Sequence, residues 1–275
     1  MLAKRIITGV IGGALTIGII YEGDWLFFFM IILLAILGWH EYCNLVRKLG
    51  ANLSERMGAG WIVCFFAAYW FGSVKVMMLL AVAAMLWLLL QTVLFHGKIK
   101  PVDSAYTLYG LLYVSGGFLA MLALRNGQIA SYMTDAFSSV MLEPARFFMF
   151  LLIFSTWASD TFAFAVGKVK GKNKLCPSIS PGKTQEGALG GFIGTVVTAL
   201  VFSLIFQFSL IHALAIGIVV AVAAPLGDLV ESILKRVCQV KDSGTLIPGH
   251  GGVLDRFDSL LFAAPAVYVY LTLIA

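Results

Sequence analysis

VMMLLAVAAMLWLLLQTVLF, residues 76–95, is a segment of twenty residues without one ionisable side chain, and its only polar residues are Gln91 and Thr92. A helix of this length rises about 30 Å, which matches the hydrocarbon thickness of a bilayer. Similar segments recur along the chain, which has 275 residues and a mean hydropathy of +0.95. They do not alternate apolar and polar residues as membrane barrel strands do. The sequence therefore predicts an all-α, polytopic membrane protein.

Nine segments are candidate transmembrane helices, and the first and third of them are short. The predicted spans are 6–21, 25–46, 57–72, 76–95, 104–124, 146–167, 189–208, 211–233 and 259–275. The first begins like a signal peptide, but no small-residue cleavage site precedes YEGDW, so we expect a retained helix. We divide this single membrane unit into an N-terminal region of about five spans, residues 1–124, and a C-terminal catalytic region, residues 146–275.

Basic residues predict the orientation. With the N-terminus in the cytoplasm, 16 of the 19 lysines and arginines lie inside and 3 lie outside. The positive-inside rule then predicts a cytoplasmic N-terminus and, with nine spans, an external C-terminus. The net charge of +5 suits an anionic membrane surface and anionic substrates better than nucleic acid. We expect an integral protein of a bacterial plasma (inner) membrane with its active site facing the cytoplasm.

Two basic cytoplasmic loops, 168–188 and 235–256, interrupt the C-terminal region. The first contains SPGKTQEG, residues 180–187, in which Pro-Gly forms a turn, Lys183 offers a cation, and Ser180 and Thr184 offer hydroxyls. This resembles a phosphate-binding loop in its chemistry, although the GxxxxGK spacing is absent. In a second interpretation, Ser180 or Thr184 caps the next helix and Glu186 completes the cap. The two interpretations are compatible.

Acidic residues occur inside the span that precedes the second loop. In PLGDLVESILKR, residues 225–236, Asp228, Glu231, Ser232 and Lys235 are spaced so that they share one helical face. Ionisable residues within a span are costly and mark functional sites by default. The alternative is a pair of buried carboxylates that a neighbouring lysine neutralises.

HGGVLDRFDS, residues 250–259, leads into the last span. Its Asp255 and Asp258 fall in the first helical turn, where acids also serve as caps. His250 is either an acid–base group or phosphate donor, or a loop histidine without a role. Together with acids elsewhere, these residues lie at one depth, near the basic surface: Asp160, Glu186, Asp228, Glu231, Asp255 and Asp258. Carboxylates ringed by lysines and arginines predict a Mg²⁺–phosphate site.

SILKRVCQVKDSGTLIPGHGGVLDRFD, residues 232–258, resembles the signature of the phosphatidate cytidylyltransferases, or CDP-diacylglycerol synthases. SPGKTQEG resembles a second segment of that family, although Gly182 replaces a residue that is often basic. The resemblance implies that phosphatidic acid, a membrane lipid, reacts with CTP to give CDP-diacylglycerol and pyrophosphate. It also implies Mg²⁺, leaves a second, monovalent cation open, and favours a homodimer.

The resemblance also assigns roles. It implies that Asp228 and Asp255 lead the metal ligands, and we predict that Asp160 and Glu231 join them. The predicted catalytic residues are Lys183, Asp228, His250, Asp255 and Asp258. The predicted substrate-binding residues are Ser180, Lys183, Thr184, Glu186, Ser232, Lys235, Arg236, Lys241, Asp242 and Arg256. Two alternatives remain: a CTP-dependent polyprenol-type lipid kinase, which would release CDP, and an ion-coupled transporter, whose site would lie near the midplane between repeats.

Overall fold

The computed structural model describes residues 2–126, 134–246 and 251–274, with side chains from residue 9 onward. Helices dominate it, and one short β-hairpin lies in the C-terminal region. The helices are α1 (Leu2–Glu22), α2 (Asp24–Arg47), α3 (Glu55–Trp70), α4 (Val74–Leu94), α5 (Pro101–Gly110), α6 (Gly116–Asn126), α7 (Pro144–Lys170), α8 (Gln185–Phe206), α9 (Leu210–Val237) and α10 (Leu254–Ile274). A π-helical turn, Leu111–Ser115, joins α5 to α6, and a 3₁₀ turn, Thr134–Ala136, precedes α7.

Seven helical segments of the described chain are long and apolar enough to cross a membrane. They are α2, α4, the continuous helix from α5 through α6, and α7 to α10. Helix α3, with 16 residues, and the apolar stretch Gly9–Glu22 of α1 are both shorter than these seven segments. The predicted helical membrane architecture is therefore confirmed, whereas nine crossings and the orientation stay predictions.

Regular structure extends into both predicted loops. Helix α7 continues to Lys170, and the chain then forms an antiparallel hairpin of β1 (Lys174–Cys176) and β2 (Ser180–Thr184). Helix α9 continues to Val237, so that Lys235 and Arg236 belong to the helix. The first residues of both predicted loops thus form the last turns of helices, where basic residues suit the helix dipole.

Glycines allow the C-terminal helices to approach closely. Helix α7 packs along α8, and α9 packs against both α8 and α10. A Cβ on Gly187 would lie 2.8 Å from the Ala163 carbonyl oxygen, and one on Gly191 would lie 2.9 Å from the Ser159 carbonyl oxygen. These small residues therefore allow α7 and α8 to pack closely, as small residues do between membrane helices.

Gly227 provides the corresponding contact between α9 and α10. A Cβ there would collide with the carbonyl oxygen of Asp258 and would lie 2.8 Å from Phe262 Cβ. Because Asp228 follows Gly227, this contact brings the acids of α9 next to those of α10. Helix α10 also packs against α6 and α2, which connects the N-terminal helices to this region.

Candidate active site

Three carboxylates converge where α9 meets α10. One oxygen from each of Asp228, Glu231 and Asp258 lies within 4.8 Å of the others, an arrangement that can hold a metal ion. Asp228 and Glu231 face the same way because they are three residues apart on α9. Asp258 comes from the second turn of α10. We call these three residues the acid cluster.

Glu231 is the buried member of the acid cluster. Its side chain is 0% exposed, and neither carboxylate oxygen has a hydrogen-bond partner within the described residues. Lys235 Nζ approaches Oε2 at 2.5 Å, which is an ion-pair contact without good hydrogen-bond geometry. Buried carboxylates are normally paired, hydrogen-bonded or bound to metal. Hard oxygen donors with spare lone pairs are the ligands that Mg²⁺ prefers, so the acid cluster fits this ion.

A cavity that is lined in part by polar and charged side chains, and that we call the polar cavity, adjoins the acid cluster and reaches the hairpin. It encloses about 560 Å³ between α7, β2, α8 and α9. Lys183 on β2 projects into it and forms an ion pair with Asp228, with 2.5 Å between Nζ and Oδ2. The predicted site residues that line this cavity are Asp160, Ser180, Lys183, Thr184 and Asp228. The hairpin, which the sequence did not predict, therefore carries the SPGKT segment to the acids.

Thr184 also caps α8, as the second interpretation of this segment predicted. Its hydroxyl accepts a hydrogen bond from the Gly187 amide at 3.1 Å. Glu186 does not complete that cap. Its carboxylate instead accepts hydrogen bonds from the backbone amides of Lys172 and Asn173 and from the Asn173 side chain. Glu186 thus stabilises the turn before the hairpin and lies outside the polar cavity lining.

Asp255 lies beside the acid cluster and is already well bonded. Its Oδ1 lies 2.7 Å from Lys235 Nζ. Its Oδ2 accepts hydrogen bonds from the amides of Ser243 and Gly252, both at 2.8 Å. Its function as a leading metal ligand therefore stays a prediction. Asp258, which we predicted as a catalytic residue and as a second ligand or a support behind the ligands, occupies the cluster position in this structure.

The remaining predicted site residues lie at different distances from the acid cluster. Ser232 donates a hydrogen bond to Asp228 Oδ1 at 3.3 Å. Arg236 donates to the carbonyl oxygen of Ile179 in the hairpin turn at 3.2 Å, which holds the hairpin against α9. Lys241 and Asp242 are exposed in the connection after α9. His250 lies outside the described residues.

Arg256 lies between the polar region and an apolar cavity. That cavity encloses about 870 Å³ and is lined mainly by apolar residues of α1, α2 and α7, with Arg256, Phe257 and Leu260 from α10. The Arg256 side chain is exposed. A cation next to an apolar cavity of this volume suits a molecule with an anionic head and hydrocarbon tails.

Two further residues were missed by the sequence interpretation. Glu41 on α2 is 6% exposed and accepts hydrogen bonds at the start of α10. The Tyr113 hydroxyl in the π-helical turn is buried without a partner in the described part of the chain. An acid inside an apolar span is itself a functional signal, and Glu41 in LGWHEYCN carried that signal. Tyr113 has no comparable sequence signal.

Comparison with known proteins covers nearly the whole chain. The model of the "Cytidylyltransferase family" matches residues 3–274. A phosphatidate cytidylyltransferase of Bacillus subtilis (strain 168) is 33% identical over 278 residues, which cover 98% of this chain and 97% of the relative. One from Staphylococcus saprophyticus is 32% identical over 273 residues, with 97% and 98% covered. One from Staphylococcus haemolyticus is 36% identical over 207 residues, with 74% and 72% covered.

Proposed function

We propose that this chain, which belongs to the cytidylyltransferase family, is a phosphatidate cytidylyltransferase. Its family and the geometry of its site together support this activity. It would convert CTP and phosphatidic acid into CDP-diacylglycerol and pyrophosphate. The observation that supports this most strongly is the acid cluster, which adjoins a polar cavity with a lysine. Two polyanions can meet only where cations and metal ligands are arranged around them.

CTP is proposed to bind in the polar cavity. A volume of about 560 Å³ lies within the usual range of ligand pockets, which is about 300–1,000 Å³. Lys183 would bind phosphate oxygens, and the hydroxyls of Ser180 and Thr184 line the same wall. Because Lys183 already neutralises Asp228, a bound triphosphate would compete for its ammonium group.

Mg²⁺ is proposed to bind at Asp228, Glu231 and Asp258. In their ionised forms, these three acids and Asp255 carry four negative charges, and Lys183 and Lys235 neutralise only two of them. A divalent cation would balance these two remaining charges, which supports binding of Mg²⁺ at the acid cluster. When bound, the ion would neutralise phosphate charge and polarise the phosphoryl group. A direct ligand function for Asp255 or Asp160 and a second, monovalent cation are further proposals for this site.

The transfer step needs positioning more than it needs a base. A phosphate oxygen of phosphatidic acid forms a bond to the α-phosphorus of CTP, and the bond from that phosphorus to the bridging oxygen of pyrophosphate breaks. The attacking oxygen is already an oxyanion, so no strong base is required. Lys183 would hold the departing pyrophosphate, while Arg256 would hold the lipid phosphate. Lys235 would hold Glu231 and Asp255 in place through its ion pairs with both carboxylates.

The lipid tails are proposed to occupy the apolar cavity beside Arg256. Its size and lining support this, since about 870 Å³ of mainly hydrocarbon-lined space opens between α1, α2 and α7. The acyl chains would thus stay in an apolar medium while the phosphate reaches the polar region. The exposed Arg256 marks the boundary between the two.

We also propose nine crossings, a cytoplasmic N-terminus, an active site on the cytoplasmic side of a bacterial plasma membrane, and a homodimer. The distribution of lysine and arginine supports the orientation. Cys176 in the hairpin offers a direct test with a membrane-impermeant thiol reagent. Labelling should occur in inverted vesicles and fail in intact cells.

The activity is tested with detergent-purified protein, CTP, phosphatidic acid and Mg²⁺, with pyrophosphate and CDP-lipid measured together. We expect the two products in equal amounts and neither in the presence of a chelator. Asp258→Asn should abolish both turnover and the binding of Mn²⁺ as a spectroscopic probe. Asp255→Asn should abolish turnover, and its Mn²⁺ binding tests whether Asp255 is a direct ligand. Release of CDP with a phosphorylated lipid would instead identify a kinase, and folded protein that forms neither product would refute the proposal.

A further inference from the structure

Glu41 connects the N-terminal helices to the start of α10. It lies on α2 and is 6% exposed. Its Oε1 accepts a hydrogen bond from the Val253 amide at 2.8 Å, and its Oε2 accepts one from the Leu254 amide at 3.0 Å. These amides belong to the helix start, where backbone donors lack partners within the helix and the dipole favours negative charge. Glu41 therefore supplies, from another helix, the cap that α10 needs.

Two glycines leave room for the Glu41 carboxylate. A Cβ on Gly244 would lie 2.5 Å from Oε1, and one on Gly252 would collide with Oε2. Both glycines belong to the connection between α9 and α10, from which residues 238–246 and 251–253 are described. The connection thus wraps closely around this carboxylate. Its glycines fit a buried acid contributed from α2.

Ser243 joins Glu41 to Asp255. The Ser243 hydroxyl oxygen lies 3.1 Å from Glu41 Oε2 and 2.9 Å from Asp255 Oδ2. From Asp255 the contacts continue through Lys235 to Glu231 in the acid cluster. A change at Glu41 therefore reaches the reacting groups through two routes, the first turn of α10 and the Ser243 hydroxyl.

We propose that Glu41 is a positioning residue for cytidylyl transfer, which holds the α9–α10 connection and the first turn of α10 so that Asp255 and Asp258 meet Asp228 and Glu231. This inference rests on the proposed function. Glu41 is not one of the residues that line the polar cavity. Its loss should therefore lower kcat much more than it raises the KM for CTP.

Glu41→Gln is the main test variant. A glutamine has the same shape, but one of its two end groups is a donor and would face a backbone donor. Asp103→Asn is the matched control, because Asp103 is 3% exposed and also accepts two backbone hydrogen bonds at a helix start, from Lys100 and Asn52. Glu41→Asp keeps the charge and replaces Glu41→Gln if the latter does not fold.

The measurements are kcat, KM for CTP, and amide hydrogen exchange over 251–256 in the full-length protein. For Glu41→Gln we expect faster exchange in that segment and a kcat about tenfold lower or more, with KM for CTP changed less than about twofold. Asp103→Asn should leave all three unchanged.

Unchanged exchange in Glu41→Gln, or an equal loss of kcat in Asp103→Asn, would overturn the inference. A Glu41→Gln variant with full activity beside an active wild-type protein would overturn it alone. A wild-type protein that forms no CDP-lipid would overturn the proposed function itself, and the two failures are thus distinguishable.

Discussion

Gly227→Ala should damage the active site without altering any of its functional groups. The added methyl would lie 2.8 Å from Phe262 Cβ and 3.1 Å from Ser259 Cα, and it would collide with the Asp258 carbonyl oxygen. Carbon atoms pack at about 3.5–4.0 Å, so α10 must retreat from α9 by roughly 0.7 Å. Asp258 would retreat with it, away from Asp228.

The displacement of α10 determines the expected loss of stability and the expected fall in kcat. Overpacking of this kind costs about 1–3 kcal/mol of stability. A misplacement of about 1 Å can cost roughly a hundredfold in rate, so we expect a ten- to hundredfold fall in kcat. Thermal unfolding and CDP-lipid formation in detergent would measure the two effects separately.

Gly60→Ala is the matched control for Gly227→Ala. Gly60 also lies inside a helix, α3, but a Cβ there would meet nothing within 4 Å. We expect unchanged activity and a gain of about 0.5–1 kcal/mol from the better helix propensity of alanine. If Gly227→Ala keeps a kcat within about twofold of wild type, close contact between α9 and α10 does not control the acid cluster.

Two further substitutions test the lysines. Lys235→Met should abolish activity and destabilise the protein by about 3–5 kcal/mol, because Glu231 and Asp255 lose the cation that lies 2.5 and 2.7 Å from them. Lys75→Met, at an exposed lysine, is the control. A stable and active Lys235→Met protein would refute the function proposed for Lys235. Lys183→Ala should raise the KM for CTP about tenfold and leave the KM for phosphatidic acid unchanged. Steady-state titration of each substrate would measure both constants. A selective effect on the KM for phosphatidic acid would show that CTP binds elsewhere.

Hydrophobicity predicted the helices well because a bilayer leaves the backbone few other solutions. Residues 76–95 contain no competing signal, and the structure has α4 there, Val74–Leu94. The hairpin was missed for the opposite reason. Neither KLC nor SPGKT shows a run of alternating apolar residues, and their pairing is decided by contacts with α8 and α9 rather than by their own propensity.

The acid cluster was predictable in part. Asp228 and Glu231 share a helical face by spacing alone, and their common depth with Asp258 follows from the predicted spans. The distinction between Asp255 and Asp258 was not predictable, since both belong to one DxxD segment. It depends on Ser243 and Gly252, whose amides bind Asp255, and the sequence does not show which acid these donors will take.

The contacts of Glu41 explain why the acids of this site tolerate burial near the membrane. A helix that begins beside apolar helices has backbone donors that water cannot readily satisfy, and each unpaired donor is costly. Glu41 binds two of these donors, and Asp255 binds the amide of Gly252 just before them. The two carboxylates thereby gain the hydrogen bonds that buried charges require, while Lys235 balances charge at Asp255 and Glu231. The same contacts that stabilise these buried acids also hold them in place, so structural stability and active-site geometry depend on one set of hydrogen bonds.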